Sequence, residues 1–207
     1  MTDPNYYAPP LAEAGGRRLP ASADDEGPVE YAGFGIRAAA RIVDVVATVL
    51  FGALGGFIGG VIQVVRTGHV TPAPTFATET FLMSMLFSAI GGLFYHSFAE
   101  GLGGATVGKL ILGLRVKREG SLEPCGVAAA LGRNAAYYVD AFFFGLVAYS
   151  AMSKSRMSQR LGDQWAETVV VRSKSLPARA RGGEAPGLII GAALYVVVST
   201  VSIALRG

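Results

Sequence analysis

The chain has 207 residues, of which 51% are hydrophobic and 16% are charged, whereas soluble domains usually carry about 25% charged residues. Together with 28 glycines, which suit close helix packing in lipid, this composition argues against a soluble domain and indicates an integral membrane protein whose partner is the lipid bilayer. Residues 1–30 hold two arginines against six acidic residues, so the net charge of +3 divides into −4 there and +7 in the rest, a membrane body with basic edges rather than a nucleic-acid-binding protein.

Residues 1–30 are predicted to be a disordered tail. They are acidic, rich in Pro and Ala, and lack apolar periodicity. Their basic pair, Arg17 and Arg18, is separated from the first apolar run by acidic residues, which is not the pattern of a cleaved signal peptide. We therefore expect the first apolar run to remain as an uncleaved anchor.

The first apolar run, about residues 38–65, is long enough to cross a bilayer and carries charges at its start. Arg37, Arg41 and Asp44 are spaced by four and three residues, so they share one helix face. A carboxylate inside such a run costs about 2.5–3.5 kcal/mol and needs a partner or a wet cavity. The spacing therefore predicts that Arg37 and Asp44 form one ion pair.

The glycines of this first run predict close helix packing. Gly52, Gly56 and Gly60 recur every four residues, and Gly55 and Gly59 form a second row. Such a smooth stripe lets another helix approach closely. We expect the first row to be a helix contact, either within the chain or in a homo-oligomer.

The distribution of basic residues predicts the topology. Apart from the first run, residues 78–98 and 187–205 are apolar enough to span, whereas residues 66–80, 100–125 and 151–186 read as loops with one, four and seven basic residues. Basic loops remain in the cytoplasm. The N-terminal tail and the two basic loops are therefore expected inside, and the 66–80 loop outside.

Segment 126–152 lies between the two basic loops. It is apolar enough to span, but Arg133 and Asp140 interrupt it. Since both of its ends belong on the inner side, it is predicted to be a re-entrant or interfacial helical hairpin that breaks near Asp140 or Gly145. A straight fourth span is the alternative.

Two short segments, 112–117 and 168–172, are predicted β-strands because they are rich in β-branched and apolar residues. If they pair, their loops share one side of the membrane; the alternative is that both are extended linkers. The predicted fold is thus an all-α membrane protein with three transmembrane helices, a hairpin and a small cytoplasmic β-hairpin-like element.

Segment 155–167 is predicted to be an interfacial helix. Met157, Leu161 and Trp165 recur every four residues as an apolar stripe, and a Trp at the headgroup level is a common anchor. Asp163 would pair with Arg160 within that helix, or contact Lys109 or Arg133 as part of a cytoplasmic gate.

The sequence offers no catalytic or metal-binding constellation. His96 and Glu100 are spaced as i and i+4, but two ligands do not make a metal site, and Cys125 is the single cysteine. Lys109 follows Gly104-Ala-Thr-Val-Gly without the Ser or Thr of a phosphate loop, so it is expected to contact a lipid headgroup or a carboxylate. No enzyme activity, cofactor or metal is expected.

Four blocks in order, residues 33–44, 104–116, 133–140 and 159–171, resemble the RDD family of bacterial integral membrane proteins, which is named for one arginine and two aspartates. On that pattern Arg37 is the arginine, and Asp44 and Asp163 are the aspartates. Gly35 and Glu167 depart from it, away from those three positions. The resemblance implies a multi-pass protein of the bacterial cytoplasmic (inner) membrane, for which a transport role has been suspected.

The predicted domain organisation is a tail (1–30), an RDD-type membrane domain (31–172), a basic linker (173–186) and a C-terminal transmembrane helix (187–207).

Two functions stay open for this membrane protein. The first is transport of an ion or small solute, such as exchange of a small cation for a proton, by a homo-oligomer. The second is a non-catalytic membrane scaffold or assembly partner whose charges are structural. In either case the candidate residues form one charge network, namely Arg37, Arg41, Asp44, Arg133, Asp140 and Asp163.

Overall fold

The computed structural model describes residues 28–69, 78–142 and 145–205, and the side chains of residues 78–80, 139–142 and 179 are outside this description. The predicted disordered tail therefore lies almost wholly outside the described residues. The described elements, in chain order, are helices α1 (Phe34–Thr67), α2 (Thr78–Gly103) and α3 (Val107–Ile111), strand β1 (Leu114–Arg118), helices α4 (Val127–Phe142), α5 (Leu146–Lys154) and α6 (Leu161–Trp165), strand β2 (Thr168–Arg172), two 3-10 helices (Ser173–Ser175 and Ala178–Ala180) and helix α7 (Glu184–Ala204).

Three helices are long and apolar enough to cross a membrane: α1, the Phe81–Gly103 part of α2, and α7. Large apolar side chains lie on their outer faces, such as Ile42 with 68% and Val65 with 80% of its surface exposed. Helix α7 packs against both α1 and α2. Three membrane helices, as the apolar runs predicted, are confirmed.

Helix α1 packs on α7 through its second row of glycines. A Cβ added at Gly55 would lie 2.6 Å from the carbonyl oxygen of Val196, and one at Gly59 would lie 2.9 Å from that of Thr200. The first row is different, since a Cβ at Gly56 or Gly60 meets no described atom within 4 Å, and one at Gly52 makes an ordinary 3.6 Å contact with Tyr195. Within the chain, the helix contact predicted for the row of Gly52, Gly56 and Gly60 is wrong. Helix α7 packs instead on the neighbouring row of Gly55 and Gly59.

The two glycine rows provide a matched test of this packing. Gly55→Ala is expected to destabilise the protein by about 1–3 kcal/mol, because the added methyl group would push α7 away from α1. Gly56→Ala should instead leave the stability unchanged or raise it slightly, since alanine favours the helix by about 1 kcal/mol. Thermal unfolding of both variants in one detergent checks this, and a greater loss in Gly56→Ala would contradict the helix register.

Strands β1 and β2 form a two-stranded antiparallel sheet, in register from Leu114 opposite Arg172 to Arg118 opposite Thr168. The segment before α1 joins its edge, where the Ala32 N–H donates to the Val170 carbonyl at 2.8 Å. The predicted β element is confirmed. The start of α1, the chain after α2 and the chain before α7 therefore lie at one end of the molecule, which we call the sheet end.

Helices α4 and α5 form the predicted interrupted segment. Helix α5 begins after Gly145, whose φ of 77° lies in the left-handed region that favours glycine. Because the chain leaves β1 and returns to β2 in the same sheet, this segment makes no net crossing. The structure thus agrees with a hairpin that breaks near Gly145, and the alternative of a straight fourth span is not observed.

The predicted interfacial helix over 155–167 is wrong in length. The described helix is α6 alone, and Ser158, three residues before it, has a φ of 50°. Trp165 is 74% exposed, but Met157 packs inward against the cluster of Val169 and Val171. A long-range hydrogen bond explains the interruption, because the Ser158 carbonyl accepts from the side chain of Arg37 in α1.

Candidate functional site

Asp44 lies at the junction of three helices. Its carboxylate is buried and accepts hydrogen bonds from the Tyr95 hydroxyl at 3.2 Å, the Thr106 hydroxyl at 2.7 Å and the Gly108 backbone N–H at 2.8 Å. Thr106 is also the N-cap of α3, so the start of α3 presents the Thr106 hydroxyl and the Gly108 N–H to α1. The Asp44 carboxylate therefore ties α1 to α2 and α3.

Gly108 is required for this junction. A Cβ added there would lie 2.0 Å from the Ala40 carbonyl oxygen and 3.0 Å from the Asp44 carboxyl carbon. Any side chain would therefore separate α3 from α1. Gly108 thus serves a carboxylate contact between helices.

Asp163 is the second buried carboxylate, and three arginines surround it. Its oxygens lie 2.5 Å from Arg37 Nη1, 3.4 Å from Arg133 Nε and 3.5 Å from Arg160 Nη2. Burial by itself would raise the pKa of Asp163, but the guanidiniums of Arg133, Arg160 and Arg37 hold it well below its usual range. This carboxylate joins α1, α4 and the start of α6.

The pairing predicted between Arg37 and Asp44 is wrong. Besides Asp163, Arg37 donates to the Ala32 carbonyl at 2.9 Å and to the Ser158 carbonyl at 2.8 Å. No ion pair joins Arg37 to Asp44, both of which are described. The two charges share α1, but Arg37 turns toward the sheet end and Asp44 toward α2 and α3.

Glu100 is the third buried carboxylate, and one of its oxygens lies 3.9 Å from Nδ1 of His96, four residues before it. It pairs with Lys109, accepts a hydrogen bond from Asn134 at 3.1 Å, and lies 3.4 Å from Arg133 Nη2. Burial lowers the pKa of Lys109 to about 8, against the opposing effect of Glu100. The lysine thus has the carboxylate partner that the sequence predicted, and Arg133 links Glu100 to Asp163.

Arg41 faces the same region from α1. Its guanidinium carbon lies 3.9 Å from the centre of the Tyr137 ring, while a guanidinium nitrogen contacts the His96 imidazole. Arg160 approaches the same ring, at 5.7 Å. Two cations therefore flank one aromatic side chain of α4.

These groups surround a cavity of about 380 Å³ between α1 and the α4–α5 hairpin. Its walls include five cationic side chains and the carboxylates of Asp44 and Glu100, with Asp163 directly behind them. The cations at the wall are Arg37, Arg41, Lys109, Arg133 and Arg160.

The structure brings together most of the predicted network. Arg37, Arg133 and Asp163 are in direct contact, and Arg41 and Asp44 line the same cavity. The side chain of Asp140 is outside the described part of the structure. Among the described residues no group of three or more His, Cys, Asp or Glu side chains could hold a metal ion.

Comparison with known proteins gives one match. The sequence model described as the RDD family matches residues 31–167, which is about two thirds of the chain and includes α1 to α6. No curated protein sequence and no solved structure shows a significant match.

Proposed function

Since the chain belongs to the RDD family, we propose that this membrane protein moves a small ion or solute across the bilayer, with the charge-lined cavity as its binding site. One observation carries the proposal: eight charged side chains gather around a cavity of about 380 Å³ at the start of a membrane helix. Buried ionisable groups in membrane proteins are costly and commonly mark ion pathways or proton relays. This arrangement suits binding and release of a charged species better than catalysis, so we do not propose an enzyme.

The cavity lies near one end of the spans. Helix α1 has 34 residues and is about 51 Å long, against a hydrocarbon core of about 30 Å. Asp44 is about 15 Å from its start, and Glu100 lies in the last turn of α2. We therefore propose that the site is an entry chamber at the sheet end.

Exchange of a small cation for a proton is the form of transport that we propose to test first, with Asp44 as the proton-carrying group. In proteoliposomes, a K⁺ or Na⁺ gradient should drive a pH change reported by an enclosed dye. Asp44→Asn keeps the shape of the side chain but removes its charge, and it should abolish this flux. Glu123→Gln, at an exposed position, should leave the flux unchanged. Wild-type flux that persists in a folded Asp44→Asn variant would reject the role of Asp44, and no flux with wild type would reject this exchange.

A scaffold role is the second candidate, and a specific observation favours it. Each buried carboxylate already has donors or cations in contact, and Asp163 alone joins three separate segments. Such contacts stabilise a fold without any ligand. If the wild type and every folded variant of the network show the same permeability as empty liposomes, the charges are structural.

We also propose that the sheet end faces the cytoplasm of a bacterial inner membrane. Most basic residues lie at this end, and basic loops are retained inside. After Cys125 is replaced by serine, Lys174→Cys should react with an impermeant reagent only from the inside and His69→Cys only from the outside. Labelling of both from the same side would contradict three crossings, and the reversed pattern would contradict the orientation.

A homo-oligomer is expected because three spans are few for a sealed pathway.

A further inference from the structure

The cavity carries an excess of positive charge. Five cationic side chains line it, and three carboxylates line or adjoin it. The net charge of these groups is therefore +2. It would remain positive if one further carboxylate, outside the described side chains, also faced the cavity. The wall also contains the nitrogen-bearing side chains of His96 and Asn134. Such a chamber attracts an anion more strongly than a cation.

Arg133 supplies donors that the described protein does not use. Its side chain is 1% exposed, and none of its three guanidinium nitrogens makes a hydrogen bond within the described part of the chain. The Glu100 and Asp163 oxygens lie at 3.4 Å, within ion-pair distance but without hydrogen-bond geometry. A buried guanidinium fork that lines a cavity is matched to the oxygens of a carboxylate or phosphate.

Arg41 and Arg160 add two cations to the wall of the chamber. Both lie over the Tyr137 ring, at 3.9 Å and 5.7 Å, and the Arg160 Nε has no hydrogen-bond partner among the described residues. Because both approach the same ring, their like charges repel one another. An anion between them and Arg133 would offset the repulsion.

Part of the remaining wall is apolar. It is lined by Phe34, Ala38, Ile42 and Val45 of α1 and by Ala148 and Met152 of α5. Ile42 and Val45 are also exposed on the outside of α1, so the cavity reaches the surface that lipid would cover. A volume of about 380 Å³ falls in the range of roughly 300–1,000 Å³ found for small-molecule sites.

We propose that this cavity binds an organic oxyanion, a carboxylate or phosphate joined to a compact apolar group, with Arg133, Arg41 and Arg160 around the anion and the α1–α5 wall around the apolar group. The inference rests on the proposed transport of a small ion or solute, and it names an anion rather than a cation as the species that the cavity holds. The oxyanion can come from a soluble molecule or from a lipid headgroup, which have the same recognition chemistry.

Binding to the purified protein in detergent tests the proposal. Benzoate and phenyl phosphate should raise the unfolding temperature with saturation, whereas neutral benzyl alcohol should not. Arg41→Gln, at a half-buried position, should raise the half-saturating concentration about tenfold through loss of one charged contact. Arg66→Gln, on the exposed far end of α1, is the matched control and should bind as wild type. Arg133→Gln is a second variant, used if it folds.

A parallel arm separates the two sources. The protein is placed in nanodiscs of phosphatidylcholine with or without a minor fraction of phosphatidic acid. Stabilisation by phosphatidic acid alone supports the site and assigns the lipid source, and stabilisation by the soluble anions assigns the soluble source. Equal stabilisation by benzyl alcohol, no effect of any anion, or unchanged binding in Arg41→Gln overturns the proposal. Benzoate or phenyl phosphate that binds but is not carried across proteoliposomes would reject transport of these anions and keep this site, and their flux without saturable binding would reject this site and keep transport.

Discussion

Asp163→Ala is expected to lower the stability of the protein by about 3–5 kcal/mol, as removal of one partner from a buried ion pair typically does. The carboxylate is fully buried, and its loss leaves the guanidiniums of Arg37 and Arg133, both almost fully buried, without this counterion. It also unlinks α1 from α6, since Arg37 reaches α6 through Asp163. The measurements are the yield of monodisperse protein and its thermal unfolding in detergent.

Glu123→Ala is the matched control, because it removes a carboxylate from an exposed turn. It should change the stability by less than about 0.5 kcal/mol.

The pH dependence of the stability provides a second check. Since the folded pKa of Asp163 is held below its usual value, its contribution is present above about pH 4 and is lost as the pH falls further. Equal stability of Asp163→Ala and the control would mean that the three arginines do not depend on this carboxylate.

Gly108→Ala is expected to have the second largest effect. Its Cβ would lie 2.0 Å from the Ala40 carbonyl oxygen, which is rigid helix backbone and cannot move away as a flexible side chain could. Overpacking of this kind costs about 1–3 kcal/mol or more, and the hydrogen bond from the Gly108 N–H to Asp44 would be strained as well. Folded yield and thermal unfolding report the loss.

Gly132→Ala controls for the glycine substitution itself. Gly132 lies within α4, and a Cβ there meets no described atom within 4 Å. Alanine should therefore stabilise the helix by about 0.5–1 kcal/mol. If Gly108→Ala unfolds at the same temperature as Gly132→Ala, the close contact between α3 and α1 does not exist in the protein.

The spans, the β pair and the break near Gly145 could be predicted because each leaves a local signal. Long apolar runs identify membrane helices, and the β-branched residues of 168–172 identify a strand. The count of basic residues favoured a hairpin over a fourth crossing, and the pairing of β1 with β2 supports the same result for an independent reason.

The partners of Arg37, Asp44 and Glu100 could not be predicted in full, because they depend on contacts between distant parts of the chain. Helical spacing shows that Arg37 and Asp44 share a face, but Asp163, which Arg37 contacts, is 126 positions further along. Helical spacing shows only that His96 lies near Glu100, whereas Lys109 and Arg133 reach Glu100 from other elements. The choice between the glycine rows likewise depends on where α7 crosses α1, which one helix sequence does not contain.

Arg37 forms its ion pair with Asp163 and not with Asp44, and the charged side chains therefore join separate segments around one cavity. Two double-mutant cycles measure this directly, Arg37→Ala with Asp163→Ala and Arg37→Ala with Asp44→Ala, each by thermal unfolding in the same detergent. The structure predicts a coupling of about 1–3 kcal/mol for the first cycle and less than about 0.5 kcal/mol for the second. Additive effects with Asp163 together with strong coupling to Asp44 would contradict it.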